Sequence, residues 1–244
     1  MHDLTEFRLS EALLLGADLR RVSEGATSLE AAAQRTAAFF CEQLRDRGRM
    51  RSACVLARCY KTHAFGELPA DLQRAARGAI PGVDPQPMTR CLTLLGTSGD
   101  LDEWCDRRRS VGHRAIPLSS EAVIQSLPMI AELTRALGVE AGALLRGDSE
   151  FLLERDQRGF NVFHVARAED SPFVPAQDSF VRARGVRSVV GFGFTVPPAD
   201  IFTVILFTRV PVDDNTAALF KTLALNLKLA LLPLAAEPTF GDLT

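Results

Sequence analysis

Val186-Arg187-Ser188-Val189-Val190-Gly191-Phe192-Gly193-Phe194-Thr195 and Ile201-Phe202-Thr203-Val204-Ile205-Leu206-Phe207-Thr208-Arg209 are two runs of mostly β-branched and aromatic residues. Between them lies Val196-Pro197-Pro198-Ala199-Asp200. Such side chains suit a pleated, half-buried surface, and a short proline-bearing connection predicts an antiparallel hairpin with a five-residue loop. Both strands should lie at or near the centre of a sheet. Asp213 and Asp214 then open a helix over about Thr216 to Leu232, where Leu219, Phe220, Leu223, Leu227, Ala230 and Leu231 make a stripe wide enough for two packing partners.

Working back towards the N-terminus, leucines and alanines at spacings of three and four predict a helix over Leu4 to Val22, broken at Gly25. Thr27 or Ser28 can cap a second helix reaching about Arg47, with Arg45 and Arg47 opposing its negative end and Gly48 closing it. The period then shortens. Ser52 to Tyr60 and Met88 to Leu95 read as strands, separated by a short helix after Pro69, and Thr97 to Asp100 reads as a turn. Arg114 to Leu118 is a short strand, and Ser119 or Ser120 caps Glu121 to Leu137, where Pro128 predicts a kink or two helices. Ala141 to Arg146 adds a helical turn, Phe160 to Val165 a strand, and Ser171 to Gln177 an irregular segment with two prolines. Helices at the ends and antiparallel strands in the centre give an α+β layer fold. The division expected is an N-terminal helical extension (1–27), a main domain (28–234) and a mobile tail (235–244) with few means of anchoring itself.

The 244 residues carry 28 basic and 30 acidic side chains, for a net charge of -2. That balance provides no basic excess for nucleic acid, so no nucleic-acid partner is expected. Apolar runs are too short for a membrane span, and Met1 to Ser10 lacks the layout of a signal peptide, so no membrane partner and a cytoplasmic location are expected. Five cysteines without a Cys-x-x-Cys pair indicate neither a disulfide framework nor a zinc ribbon.

The order of elements, with its late hairpin followed by an apolar helix, resembles that of GAF domains, ligand-sensing modules related to PAS domains. The resemblance covers roughly Ser28 to Leu234. Trp104-Cys105-Asp106-Arg107-Arg108-Arg109-Ser110-Val111-Gly112-His113-Arg114-Ala115-Ile116-Pro117-Leu118 and Gly185-Val186-Arg187-Ser188-Val189-Val190-Gly191-Phe192-Gly193 are similar to GAF-like input regions of bacterial sensor histidine kinases and cyclases. The resemblance implies a six-stranded antiparallel sheet with helices on one face and a ligand pocket on the other. It also implies terminal helices that build a parallel homodimer, and a role in signal transduction of the two-component kind. No kinase, cyclase or DNA-binding output is recognised in the chain, so the output partner would be a separate kinase or cyclase, or the protein a free-standing relative.

Chemistry concentrates in Trp104 to His113. Arg107 and Arg108 offer forked donors for carboxylate or phosphate, Trp104 a stacking face, Ser110 a hydroxyl, and His113 a group that titrates near neutrality. The alternative is a solvated charged face offset by Asp102, Glu103 and Asp106, with Trp104 covering the core edge. His164 alternates with Phe163 and Val165, and could enter a pocket as a haem or metal ligand or be a hydrogen-bonded structural histidine. Phe192, Phe194, Phe202 and Phe207 could line a cavity or fill the core. Gly191 and Gly193 mark close approach of another backbone or a ligand. His63 follows Cys59 by four residues, which would place both on one strand face, where an imidazole could activate a thiolate; buried packing is the other reading.

No His-Glu-x-x-His, Gly-x-Ser-x-Gly or paired-cysteine metal spacing is present. Binding is therefore expected ahead of catalysis: a sensory or regulatory protein holding a small molecule between its sheet and Trp104 to Leu118. The cofactor is left open, with haem as one candidate. The rivals are a redox enzyme similar to the GAF-fold free methionine sulfoxide reductases, using Cys59, Cys91 or Cys105, and a ligand-free interaction scaffold.

Overall fold

A computed structural model describes residues 1–147, 161–198, 200–235 and 237–241. The strands are β1 (His2–Asp3), β2 (Leu44–Asp46), β3 (Arg51–Ser52), β4 (Cys54–Ala64), β5 (Arg90–Gly99), β6 (Ala115–Leu118), β7 (Phe163–Val165), β8 (Ser188–Val196) and β9 (Asp200–Thr208). The first three form a small sheet. The other six form the main sheet in the order β6-β5-β4-β9-β8-β7, with every neighbouring pair antiparallel. β8 and β9 pair along their length from Ser188 opposite Thr208 to Val196 opposite Asp200, which leaves a loop shorter than the five residues expected.

The helices are α1 (Leu9–Leu19), α2 (Leu29–Gln43), α3 (Ala70–Arg77), α4 (Glu121–Gln125), α5 (Pro128–Leu137), α6 (Ala141–Arg146) and α7 (Asp214–Leu231). Three starts are set by side-chain caps: Ser28 Oγ accepts from Ala31 N at 3.1 Å, Ser120 Oγ from Val123 N at 3.2 Å, and Asp213 Oδ1 from Thr216 N at 2.7 Å. Pro128 starts α5 in the first turn, where its missing N–H costs nothing, so the expected kink is a break into two helices.

α2 lies across β4 and β5, α7 packs on β8, and α1 packs on α7, all on one face of the sheet. A Cβ on Gly96 would stand 2.3 Å from the Ala33 carbonyl carbon, so only glycine lets α2 lie this close to β5. Phe40 from α2, Phe192 from β8 and Phe220 from α7 meet with ring centroids 5.7–5.8 Å apart, and Phe7 extends the cluster to Phe220 at 5.8 Å. Burying each such ring is worth roughly 1.5–3 kcal/mol. The helix Asp214–Leu234 is long and apolar enough, by length and composition, to cross a membrane. Here Phe220, Leu223 and Leu227 are wholly buried within the protein's own core.

Several local expectations are corrected. α2 stops at Gln43 because Leu44 to Asp46 is drawn into pairing with β1 and β3, so Arg45 and Arg47 do not cap a helix end. β4 and β5 run to Ala64 and Gly99, four residues beyond their expected ends, and Thr97 to Gly99 belong to a strand. Residues 1–27 pack into the whole: Arg20 Nε donates to Asn226 Oδ1 at 2.5 Å and Ser23 Oγ to the Ala230 carbonyl at 2.6 Å. The tail does find anchors. Glu30 N donates to the Thr239 carbonyl at 2.8 Å and Gly241 N to Glu30 Oε2 at 3.0 Å. Phe160, the expected start of the strand that contains β7, and residues 242–244 of the tail lie outside the described residues.

Candidate functional site

On the face of the sheet opposite α2 and α7 lies a cavity of about 400 Å³. Its floor comes from β4 and β9: period-two alternation turns Leu56, Arg58 and Tyr60 of β4, and Ile205 and Phe207 of β9, towards it. Its walls are the Trp104 to His113 segment, the start of α5 and the segment Pro172 to Phe180. The volume falls within the range of small-molecule pockets.

One wall is aromatic. Phe180 meets Trp104 edge-on at 5.7 Å and Phe207 at 5.1 Å, while the Arg184 guanidinium lies over Trp104 at 5.6 Å. Phe180 belongs to a π-helical turn, Gln177–Arg182, entered through Ala176 at φ 56°. The Gln177 side chain holds this segment by donating to the carbonyls of Ala168 at 3.0 Å and Val174 at 2.8 Å. π-turns are rare in proteins and recur at functional sites.

The polar wall is small. Arg58 is 8% exposed; its Nη1 donates to Tyr60 Oη at 3.2 Å and the Gly112 carbonyl at 3.5 Å, and its Nη2 donates to Ser110 Oγ at 3.0 Å. Its Nε is buried without a partner. No aspartate or glutamate is among the described lining residues. His113 joins this wall at φ 54°, directly after Gly112 at φ 73°. A left-handed histidine costs of the order of 1 kcal/mol, and such strain persists where the surroundings enforce it. His113 keeps an exposed edge at the cavity mouth, and desolvation by the surrounding wall, then the Arg58 charge, lower its pKa, which favours the neutral imidazole.

Of the residues singled out from sequence, Trp104 and His113 line the cavity, and Ser110 stands behind it as an Arg58 acceptor. The others, Phe207 excepted, lie elsewhere. Arg107 is buried between Glu30 and Asp71, with the Phe240 ring 5.6 Å from its guanidinium, and it serves packing. Arg108 is exposed and does not line the cavity. His164 has Nδ1 2.8 Å from Asp214 Oδ1 and Nε2 2.9 Å from the Val212 carbonyl, so neither nitrogen is open to haem iron or a metal. Phe192 and Phe202 project to the helical face: Phe192 pairs with Val204 and meets Phe40 and Phe220, and Phe202 stacks on Phe194 at 5.4 Å. Phe207 alone of the four hairpin phenylalanines reaches the cavity. A Cβ on Gly193 would stand 2.7 Å from the Phe202 carbonyl, the close backbone approach expected there.

Cys59 and Cys91 are poorly suited to act as thiolates. Burial pushes Cys59 well up and Cys91 up to about 12. Cys59 and His63 share a strand face but stand about 13 Å apart along an extended chain, and neither His63 nitrogen has a partner. Cys105 is exposed, with Sγ 3.5 Å from the Gly99 carbonyl. Among the described residues no group of three or more His, Cys, Asp or Glu could hold a metal ion.

Arg58, Tyr60 and Phe180 were not apparent as site residues from sequence. Arg58 did carry a signal, as the one charge within the apolar run Ala53 to Tyr60. No local pattern marked Phe180.

No protein-family model matches the chain, and no curated protein matches it. Solved structures do. A free methionine-R-sulfoxide reductase from Neisseria meningitidis, in complex with its substrate, is 14% identical, with a TM-score of 0.45 over 94% of this chain and 96% of that one. A GAF sensor protein from Burkholderia vietnamiensis is 13% identical, with a TM-score of 0.45 over 91% and 94%. The GAF domain of a phosphoenolpyruvate-protein phosphotransferase from Coxiella burnetii is 10% identical, with a TM-score of 0.47 over 93% and 95%. The sheet order, with α2 and α7 on one face and the cavity on the other, has the arrangement implied by the resemblance of Ser28 to Leu234. The fold is GAF-like. Within this GAF-like fold, the cavity and its arginine are what sequence and geometry together single out.

Proposed function

We propose that this GAF-like protein is a cytoplasmic sensory or regulatory protein that binds a small molecule in the cavity over β4 and β9. The observation carrying this reading is the cavity itself, a preformed apolar space with a few converging polar groups. Five free cysteines accord with a reducing compartment. The binding domain is residues 28–234, and α1 within residues 1–27 joins α7 as the element that carries the signal. One sheet layer separates Ile205 and Phe207 on the cavity face from Val204 and Phe192 on the other, and Phe192 touches Phe220 of α7. A ligand would act by favouring one packing of α7 and α1 over another. Homodimerisation through those helices is supported by exposed Leu9, Leu13 and Leu14 on α1 and Leu225 and Leu229 on α7. A separate kinase or cyclase would then read the helices.

Trp104, the sole tryptophan, lines the cavity and serves as the reporter. Anilinonaphthalene sulfonate should bind saturably, with energy transfer from Trp104. Ile205→Phe, which fills the floor, should weaken binding at least tenfold without lowering the melting temperature. Saturable binding that ignores Ile205→Phe would overturn the cavity reading. A monomer in light scattering at high micromolar concentration would overturn the dimer.

A further inference from the structure

We propose that the cavity's ligand is a monoanion, a largely apolar molecule whose carboxylate or equivalent acidic group pairs with Arg58. The proposal rests on the reading of the cavity as a ligand site and adds the chemistry of what enters it.

Three cations are buried among the described residues: Arg58, Lys61 and Arg107. Lys61 has Asp200 at 2.5 Å, and Arg107 has Glu30 together with Asp71 at 3.2 Å. Among the described residues Arg58 meets only neutral oxygens, from Tyr60, Gly112 and Ser110. Taking a permanent charge out of water without a counter-charge is strongly unfavourable, and proteins otherwise avoid it. A guanidinium has five N–H donors, and three hydrogen bonds occupy this one. The place of Arg58 in the cavity lining, the donors its three neutral partners leave unused and the absence of a carboxylate from the described lining together call for an anion supplied from outside.

The rest of the lining limits the ligand's body. Leu56, Ile116, Ile130, Ile205 and Phe207 offer no hydrogen-bonding side-chain atom. A second charge or a sugar-like row of hydroxyls would therefore be left without partners. The expected ligand has one acidic head beside Arg58, Tyr60 and His113, and an alkyl or aryl body against the Trp104, Phe180 and Phe207 wall.

The test is calorimetric titration with pairs matched in body and differing in head: octanoate against octanol, and phenylbutyrate against phenylbutanol. Wild-type protein should favour at least one acid over its alcohol by about ten- to a hundredfold, the gain expected of a hydrogen-bonded charge. Arg58→Met should erase that preference while retaining the alcohol, and Arg58→Lys should keep part of it, with near-ultraviolet circular dichroism checking that both variants fold. Equal binding of acid and alcohol, or a preference that survives Arg58→Met, would overturn the anion and leave the cavity reading standing. Failure of all four probes to bind would overturn both.

Discussion

Two cavities beside the sheet, both lined by described residues, treat charge in opposite ways. The first is the wide apolar one over β4 and β9, where Arg58 lies buried with no carboxylate among the described lining residues. The second, about 310 Å³, lies at the hairpin end on the side of α2 and α7, among Lys61, His63, Asp200, Leu231 and Phe240. There Asp200 answers Lys61, Arg90 and the Thr62 hydroxyl together. His63 is kept neutral, its pKa pushed down to about 3 by burial and then by the Lys61 charge. The returning tail lays Phe240 against His63, ring centroids 5.2 Å apart, and beneath Arg107. A matched, plugged cluster holds the sheet end together. Among the described residues Arg58 is an unmatched charge lining open space, which is where we propose that an added anion binds.

That contrast breaks most easily at Asp200. Asp200→Asn should cost about 3–5 kcal/mol in urea unfolding, because it leaves Lys61 and Arg90 facing each other without a carboxylate. A loss below about 1 kcal/mol would show that the pairing is not structural.

His63 sharpens the comparison through pH. Its folded pKa of about 3 lies below the ordinary value of 6.5, so between those limits the unfolded chain binds the extra proton. Stability should therefore fall as pH drops through that window, by about 1.4 kcal/mol per pH unit from this group. Denaturant midpoints at successive pH values should fall less steeply for His63→Phe than for wild type, and parallel slopes would remove His63 as the cause.

Phe240→Ala should cost about 1–2 kcal/mol by removing the ring between His63 and Arg107. It should also let water in and move the His63 titration upward, read from its ring proton resonances. An unmoved titration would mean that the tail does not shield it.

The smallest expected change has the opposite sign. Arg58→Met replaces an unmatched buried charge with an apolar chain of similar reach, and should stabilise the protein by about 1 kcal/mol in thermal unfolding. A loss of stability would instead make Arg58 a structural residue like Arg107.

The parts of the fold legible in sequence are those decided locally. The β8–β9 hairpin, the caps at Ser28, Ser120 and Asp213, and the break at Pro128 each follow from side-chain shape or a missing donor within a few residues. Trp104 and His113 drew attention because their residue types are rare and chemically capable. Phe192 and Phe202 were harder to place. Both faces of β8 and β9 are buried, so alternation cannot tell the helical face from the cavity face. The spacing from Cys59 to His63 fails for a related reason, because two residues four apart share a strand face without touching.

By itself, the sequence determined the α+β class, the late hairpin and its apolar helix, since hydrophobic period and turn chemistry act over a few residues. Only the tertiary structure decided that Arg107 is matched and Arg58 is not. Charge compensation depends on what Glu30, Asp71 and Asp200 meet across long stretches of chain, and no local pattern records those meetings.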